Sequence, residues 1–461
     1  MLFNSIPFVV FALLFFGLWP LLKQQNTARW LWITLMSFVF YAWWDWRFLF
    51  LLIGTGSLDY FCGKAMLRWP KAKAIFLYLS VLTNLASLLV FKYSLWLAEL
   101  LDLGLQQLGI NAQLSQHIPA FTLVLPVGIS FYTFNSLSYT IDIYRNKAQP
   151  AKNLLHFMAF IAFFPHLVAG PIIRAKEVLN QLLKVPAINR LEQVNGLKLI
   201  LWGLFQKMVL ADNIAIMVND QFTAVTTHAS AFSWWYTMLG FSLQIYFDFN
   251  GYSTIARGLA KWCGIHFKWN FNHPYLAASF SEFWQRWHRS LSSFFRDYVY
   301  IPLGGNRCSP LRNLLNRWIT MLLSGLWHGA NLTFLVWGGL HAAFLSLESL
   351  LFKVKRFKYP IVVSIGALLA WVFFRAEQVS DAAYIIQQMF TYHPQAKVFE
   401  VLKNSATVWI VIGLCIETFP WYKRYFKWRN LPWIQIGFWA SIACACILFR
   451  GPVQSFIYFQ F

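Results

Sequence analysis

Two of the ten histidines lie in sequence surroundings that favour a chemical role. His328 lies in the apolar stretch WITMLLSGLWHGANLTFLVWGGLHAAFLSLESLLF, between Trp327 and Gly329. A charged side chain at the centre of a bilayer costs roughly 2–3 kcal/mol, so a titratable group there indicates an ion pathway, a proton relay, chemistry or a structural hydrogen bond. His288 lies in a second unusual block, the aromatic and basic run FWQRWHRSLSSFFRDYVYIPLGGNR. Together the two histidines predict a reaction centre.

The chemistry that suits His328 is general base catalysis. A neutral imidazole can take the proton of a hydroxyl as that hydroxyl attacks a thioester, and can then return it to the leaving thiol. In the sequence LWHGAN, Gly329 and Ala330 allow other backbone to approach closely, and Asn331 could orient the imidazole. The alternative is a histidine that bonds a carbonyl of a neighbouring helix.

His288 is expected on a helix that lies at the membrane interface, because its block mixes basic side chains with aromatic residues at helical spacing. The alternative is a surface helix with an incidental histidine. Pro302 and the Gly304-Gly305 pair predict a turn after that helix. The block also contains basic residues that could pair with the phosphates of a cofactor such as coenzyme A, or equally with lipid headgroups: Arg286, Arg289, Arg296 and Arg307.

The composition predicts a polytopic α-helical membrane protein. The chain has 461 residues, 58% hydrophobic and 12% charged, and a mean hydropathy of +0.50, whereas a soluble domain is about a quarter charged. The net charge of +21 falls mainly in short loops, which indicates membrane topology and not nucleic-acid binding. The six cysteines include no CxxC pair and are expected to form neither a disulfide framework nor a metal site.

The apolar runs predict about 11–13 membrane-embedded segments. They lie near 6–22, 30–43, 48–63, 74–91, 121–143, 153–169, 199–211, 232–256, 319–329, 332–352, 360–374, 405–418 and 432–449. The basic loops place both the N-terminus and the C-terminus outside and 257–318 on the cytoplasmic side. Two consecutive loops around 153–169 are both basic, so that run is expected to be re-entrant and to border a cavity.

The run 319–352 is predicted to form a hairpin. Both of its flanks carry basic residues that belong in the cytoplasm, and the polar sequence HGAN is the expected turn. His328 then lies at membrane depth, below a cytoplasmic lid formed by 257–318.

Polar residues inside two other apolar runs are expected to have a structural or functional role, because an unpaired polar group inside a membrane costs free energy. Asp248, Asn250 and Tyr252 either line the reaction cavity or bond helices together, and residue by residue the second is favoured. Pro126 and Gly128 are expected to distort the helix over 126–145.

Five stretches resemble the membrane-bound O-acyltransferase (MBOAT) family, specifically the bacterial branch of alginate O-acetylation and teichoic acid D-alanylation. They are PVGISFYTFNSLSYTIDIYR, FFPHLVAGPIIR, YFDFNGYSTIARGLA, FWQRWHRSLSSFFRDYVYIPLGGNR and GLWHGANLTFLVWGGLHA, in the family's order from about 126 to 342. The resemblance implies that His328, in the WHG motif, is catalytic, and that His288, in the RWH motif, is the second important residue.

The resemblance also implies an MBOAT-type helical bundle around a central cavity, as a single membrane domain over 1–461. Its expected parts are N-terminal spans at 1–120, a catalytic core at 121–352 that contains the lid 257–318, and C-terminal spans at 353–461. The implied function is transfer of an acetyl group from a cytoplasmic donor, acetyl-CoA, to an extracytoplasmic polysaccharide such as alginate. The implied location of the protein is the bacterial inner membrane. The implied partner is an SGNH-type acetyltransferase outside the cytoplasm, since no GxSxG is present to finish the transfer.

Two alternatives stay open. One is D-alanyl transfer to teichoic acid, which requires a carrier-protein partner. The other, from a different class, is a polysaccharide transporter or flippase, which leaves the WHG and RWH blocks without a purpose and for which no convincing internal repeat is present. For the preferred function no permanently bound cofactor is expected, since acetyl-CoA is the acyl-donor substrate, and the sequence does not identify the residues that hold this donor.

Overall fold

The protein is built from α-helices. The computed structural model describes residues 1–186, 188–223, 230–351, 358–392, 398–422 and 432–459. Within these ranges every regular element is a helix and none is a strand, which confirms the predicted all-α class. Contacts between residues divide the chain into two compact units, Met1–Leu197 with Ala256–Lys268, and Lys198–Ile255 with Trp269–Phe461. The predicted division into N-terminal spans, catalytic core and C-terminal spans stays a prediction.

The first unit begins with apolar helices joined by short turns. Its helices are α1 (Ile6–Leu22), α2 (Asn26–Asp45), α3 (Arg47–Arg68), α4 (Lys73–Leu88), α5 (Ser94–Gln107), α6 (Ile129–Tyr144), α7 (Leu154–Ile161), α8 (Phe164–Leu167) and α9 (Ala175–Leu183). Helix α10 (Arg190–Leu204) starts in this unit and continues into the second. Local signals set several boundaries. Helix α1, for example, starts where the Ser5 side chain accepts a hydrogen bond from the Phe8 N–H.

The run 153–169 is a broken element that contains Pro165 and is followed by Gly170 and Pro171. It forms the eight-residue α7 and the four-residue α8, and nearly every side chain is buried. Eight helical residues span about 12 Å, far less than the roughly 30 Å of a hydrocarbon core. The run therefore does not cross a membrane as one helix, in agreement with a re-entrant element.

Pro126 and Gly128 do not distort a helix over 126–145, as predicted, but precede it. Helix α6 begins only at Ile129, after Gly128 with φ of +76°. A Cβ at Gly128 would lie 2.5 Å from the carbonyl oxygen of Leu167, so only glycine fits this close approach.

The second unit continues from α10 through a π-helical turn at Phe205–Ala211. Its helices are α11 (Asp212–Thr223), α12 (Ala231–Trp262), α13 (Phe280–Arg286), α14 (Arg289–Phe295), α15 (Pro310–His328), α16 (Leu332–Leu351), α17 (Pro360–Arg375), α18 (Val379–Phe390), α19 (Val398–Leu402), α20 (Ala406–Tyr422) and α21 (Pro432–Leu448). The last turns of α12 belong to the first unit.

Helices α15 and α16 form the predicted hairpin. The three residues Gly329, Ala330 and Asn331 separate the helices, so the turn lies at HGAN as expected. Glycines let the two backbones touch: a Cβ at Gly325 would lie 2.2 Å from the carbonyl oxygen of Phe334. This contact explains why position 325 is a glycine.

Several helices are suited to a lipid bilayer. Among the described residues, three helical stretches are long and apolar enough to cross a membrane: 70–107, 190–223 and 332–350. Four shorter apolar helices cover Ile6–Leu22, Pro360–Arg375, Ala406–Thr418 and Pro432–Leu448. The predicted number of 11–13 embedded segments and the central cavity stay predictions.

Candidate active site

His328 is the last residue of α15, at the turn of the hairpin, and its side chain is 2% exposed. The turn itself is held by Asn331, whose Nδ2 donates to the carbonyl oxygen of Glu377 while its Oδ1 accepts from the Thr333 N–H. Asn331 thus stabilises the loop that presents His328. The hairpin places an imidazole in the interior of the second unit, as its sequence predicts.

Aromatic rings surround the His328 imidazole. Ring centroids of Trp337, Trp327, Phe374 and Tyr458 lie 4.9, 5.0, 5.1 and 5.5 Å from it. Such an environment excludes water from the imidazole, and that exclusion strengthens any interaction with a reacting group.

His288 lies between two short helices and not within one. The predicted continuous interfacial helix is wrong, because α13 ends at Arg286 and α14 begins at Arg289. The backbone of His288 is left-handed, with φ of +37° and ψ of +56°, which no α-helix accommodates. A neighbouring loop holds the break, since the Arg289 N–H donates to the carbonyl oxygen of Asn270 at 2.8 Å.

The His288 side chain is fully buried, so it does not lie at an exposed interface. Its Nδ1 lies 3.2 Å from Asn270 Oδ1, and because that oxygen can only accept, Nδ1 carries the proton. Nε2 then keeps its lone pair, and it has no hydrogen-bond partner among the described residues. Burial lowers the pKa of His288 to about 3, so the ring is neutral near pH 7.

The structure brings the two predicted histidines together. Trp327 packs against both imidazoles, with its ring centroid 5.0 Å from His328 and 5.9 Å from His288. Tyr458 also contacts both, at 5.5 Å from His328 and 6.5 Å from His288. Residues that are far apart in sequence therefore form one cluster of rings.

Tyr458 is the member of this cluster that sequence reasoning missed. It lies in the segment 449–459, which follows α21, and its hydroxyl is buried with no hydrogen-bond partner among the described residues. Burial raises the pKa of Tyr458, so the phenol is protonated and needs a base before it can react. In the sequence, Tyr458 is marked only by the short aromatic run SFIYF, and a tyrosine in such a run is equally typical of a buried core residue.

The polar residues of α12 bond helices together. Asp248 lies 2.8 Å from Lys207 Nζ, and Asn250 Nδ2 donates to Gln206 Oε1 at 3.1 Å. The favoured of the two predicted roles is thus correct for these two residues. The sequence analysis did not single out Lys207, although a lysine inside the apolar run 199–211 is an unusual feature.

Two of the four arginines near His288 are paired within the chain. Arg286 bonds Glu282 at 2.6 Å, and Arg296 bonds Asp297 at 2.7 Å. Arg289 and Arg307 are exposed. Contact of any of these arginines with a donor phosphate stays a prediction.

The model of the MBOAT, membrane-bound O-acyltransferase family, matches residues 149–375, which contain both His288 and His328. The chain belongs to this family, and it is an O-acyltransferase and a membrane protein.

The names of its relatives refer to alginate, peptidoglycan and teichoic acid. The chain is 37% identical over 410 residues to the probable alginate O-acetylase AlgI of Pseudomonas aeruginosa, covering 85% of this chain and 75% of that protein. It is 34% identical over 430 residues to the peptidoglycan O-acetyltransferase of Helicobacter pylori, covering 84% and 80%. A more distant relative is the teichoic acid D-alanyltransferase of Streptococcus thermophilus, 30% identical over 244 residues, covering 50% and 58%.

Proposed function

We propose that the protein takes an acetyl group from cytoplasmic acetyl-CoA and passes it across the membrane for O-acetylation of an extracytoplasmic polysaccharide such as alginate. The names of the relatives support acetyl transfer to such a polymer. The single observation that carries the reaction centre is the contact of His328, His288 and the buried phenol Tyr458 through shared aromatic neighbours.

The hydroxyl of Tyr458 is the first acceptor in this proposal. His328, whose ring is the nearer of the two to Tyr458, removes the phenol proton as Oη attacks the thioester carbonyl. The C–S bond breaks, the acetyl group becomes an ester of Tyr458, and the proton passes from His328 to the departing thiolate. No other reactant is needed, since one thioester and one phenol give one ester and one thiol.

His288 acts on the donor side. Its neutral imidazole presents Nε2 in a dry aromatic environment, fixed by Asn270 at the other nitrogen. An imidazole held in one tautomer can position the thioester, and its Nε2 can accept a hydrogen bond from the thiol that leaves.

The variant His288→Ala tests this role. We expect it to insert normally and to keep its thermal stability in detergent, but to lose acetyl-CoA turnover by about 10²-fold or more, the effect of removing a proton-transfer group. Turnover is measured as thiol release by the purified protein. Normal turnover, or a loss that accompanies aggregation alone, would make His288 a structural residue.

The acceptor beyond Tyr458 is a partner protein. An SGNH-type acetyltransferase outside the cytoplasm collects the acetyl group and delivers it to the polysaccharide, which that partner recognises. The second candidate is D-alanyl transfer to teichoic acid, supported by the more distant relatives of that name. A flippase is disfavoured because the chain belongs to an acyltransferase family.

Labelled donors decide between these functions. We expect the full chain in proteoliposomes, given acetyl-CoA labelled in the acetyl group, to carry the label on the tryptic peptide that contains Tyr458, as detected by mass spectrometry. Label acquired only from a D-alanyl carrier protein would favour the second function. A protein that takes up neither label would refute the proposed acceptor.

The proposed localisation is the bacterial inner membrane, with both termini outside and 257–318 in the cytoplasm. Lys268 and Arg312 are exposed, so cysteines placed there can report the side. In a background without the six native cysteines, we expect both to resist an impermeant thiol reagent in intact cells and to react after permeabilisation. Labelling of both positions in intact cells would reverse the orientation and the donor side.

A further inference from the structure

Three charged side chains are buried together in the second unit. Lys207 Nζ lies 2.8 Å from Asp212 Oδ1 and 2.8 Å from Asp248 Oδ1, and the three side chains are 7%, 2% and 3% exposed. Removing charges from water costs several kcal/mol per ion, so a buried ion cluster of this kind is weak evidence for stability alone. Lys207 lies in the π-helical turn Phe205–Ala211, and such turns often occur at functional sites.

This charged cluster holds the segment that carries Tyr458. Lys207 Nζ donates to the carbonyl oxygen of Gln454 at 3.3 Å, and the Ile457 N–H donates to Asp248 Oδ2 at 2.8 Å. Lys207 thus forms ion pairs with both carboxylates and donates a hydrogen bond to the segment. One oxygen of Asp248 faces Lys207, and the other accepts a hydrogen bond from the segment. The residue after Ile457 is Tyr458, so the second bond fixes the backbone beside the phenol.

The same segment is attached again where it leaves α21. The Gly451 N–H donates to the carbonyl oxygen of Met208 at 2.9 Å, and Asn213 Nδ2 donates to the carbonyl oxygen of Phe449 at 2.9 Å. Residues 451–456 form no helix or strand. The backbone of buried residues without regular structure needs other partners. Gly451 and Ile457 are buried, and the π-helical turn and α12 supply their partners.

We propose that Lys207, Asp212 and Asp248 are positioning residues for acyl transfer: they hold segment 449–459 so that the Tyr458 ring stays against the His328 imidazole, with 5.5 Å between the ring centroids. This inference rests on the proposed role of Tyr458 as acceptor. The charged cluster fixes the segment more tightly than apolar packing does, because charge-assisted bonds are directional and are strong where water is excluded. A misplacement of about 1 Å can lower a reaction rate by about 10²-fold.

A neutral variant separates positioning from folding. Lys207→Met alone leaves two buried carboxylates without their cation and is expected to lower the unfolding temperature. The triple variant Lys207→Met/Asp212→Asn/Asp248→Leu has no unpaired charge, and replacing a buried ion cluster in this way is often neutral for stability. We expect it to unfold close to the wild-type temperature and to acetylate Tyr458 about 10²-fold more slowly.

A direct readout of the phenol is 3-fluorotyrosine at position 458, observed by ¹⁹F NMR in the full chain. We expect one resonance, shifted from that of the free amino acid, in the wild type and in His328→Ala. In the triple variant it should move towards the free value or broaden. Lys198→Met, which removes a lysine from α10 outside the charged cluster, is the matched control and should change neither the resonance nor the rate.

Two outcomes would overturn the inference. In the first, the triple variant regains wild-type acetylation together with its stability, which makes the charged cluster structural only. In the second, acetylation is lost while the 3-fluorotyrosine resonance stays unchanged. If Tyr458 is not acetylated even in the wild type, the proposed function fails, and the resonance still decides whether the charged cluster holds the segment.

Discussion

Replacing His328 with alanine is expected to lower acetyl transfer by about 10²–10⁴-fold, the usual cost of removing a general base. The phenol of Tyr458 is protonated because burial raises its pKa, so without a base its oxygen is a poor nucleophile. The rate is measured as acetyl label gained by the purified protein from acetyl-CoA. Expression and membrane insertion should be unchanged.

Two further variants are controls for this prediction. His328→Gln keeps most of the side-chain volume and a polar end, but glutamine cannot accept a proton and then release it. The His328→Gln variant should therefore be as inactive as His328→Ala. His117→Ala removes an exposed histidine and should transfer at the wild-type rate. Near wild-type transfer by both His328 variants would show that His328 is a structural residue of the hairpin turn.

The sequence was sufficient for features that local residues decide. The apolar composition predicted an all-α chain. Pro165, together with Gly170 and Pro171 directly after the run, predicted that 153–169 is a broken element. The turn at 329–331 was predictable because glycine, alanine and asparagine interrupt two long apolar runs. Each of these signals acts on neighbours within a few residues, so no tertiary information was needed.

The position and conformation of His288 required tertiary structure. Its block has helical spacing, yet bonds from the loop at Asn270 hold His288 in a left-handed conformation between two seven-residue helices. Local periodicity cannot anticipate a partner that lies elsewhere in the chain, and here tertiary hydrogen bonds override helical propensity. The predicted continuous interfacial helix was therefore wrong, although the choice of the histidine itself led to the ring cluster.

Lys207 and Tyr458 were missed for a related reason. A lysine in an apolar run signals a partner, but Asp248 lies on another helix, and nothing in the local sequence pairs the two. Tyr458 is one of 19 tyrosines in the chain. It becomes distinctive only when the fold places segment 449–459 against both histidines.

Replacing Tyr458 with phenylalanine should reduce acetyl label on the protein to background. The substitution removes only the hydroxyl that accepts the acetyl group and keeps the ring that packs against His328 and Phe249. Stability should be equal or slightly higher, because the hydroxyl is buried with no hydrogen-bond partner among the described residues.

The pattern of losses distinguishes an acceptor from a packing residue. Tyr458→Phe should bind acetyl-CoA with wild-type affinity and should still place a ring beside His328, so its defect lies wholly in acetyl transfer. Tyr384→Phe, which changes a partly exposed tyrosine of α18, is the control and should keep full activity. If Tyr458→Phe instead takes up label at the wild-type rate, another hydroxyl accepts the acetyl group. That other hydroxyl would then have to come within hydrogen-bond distance of His328, because a general base acts only on a hydroxyl that it can reach.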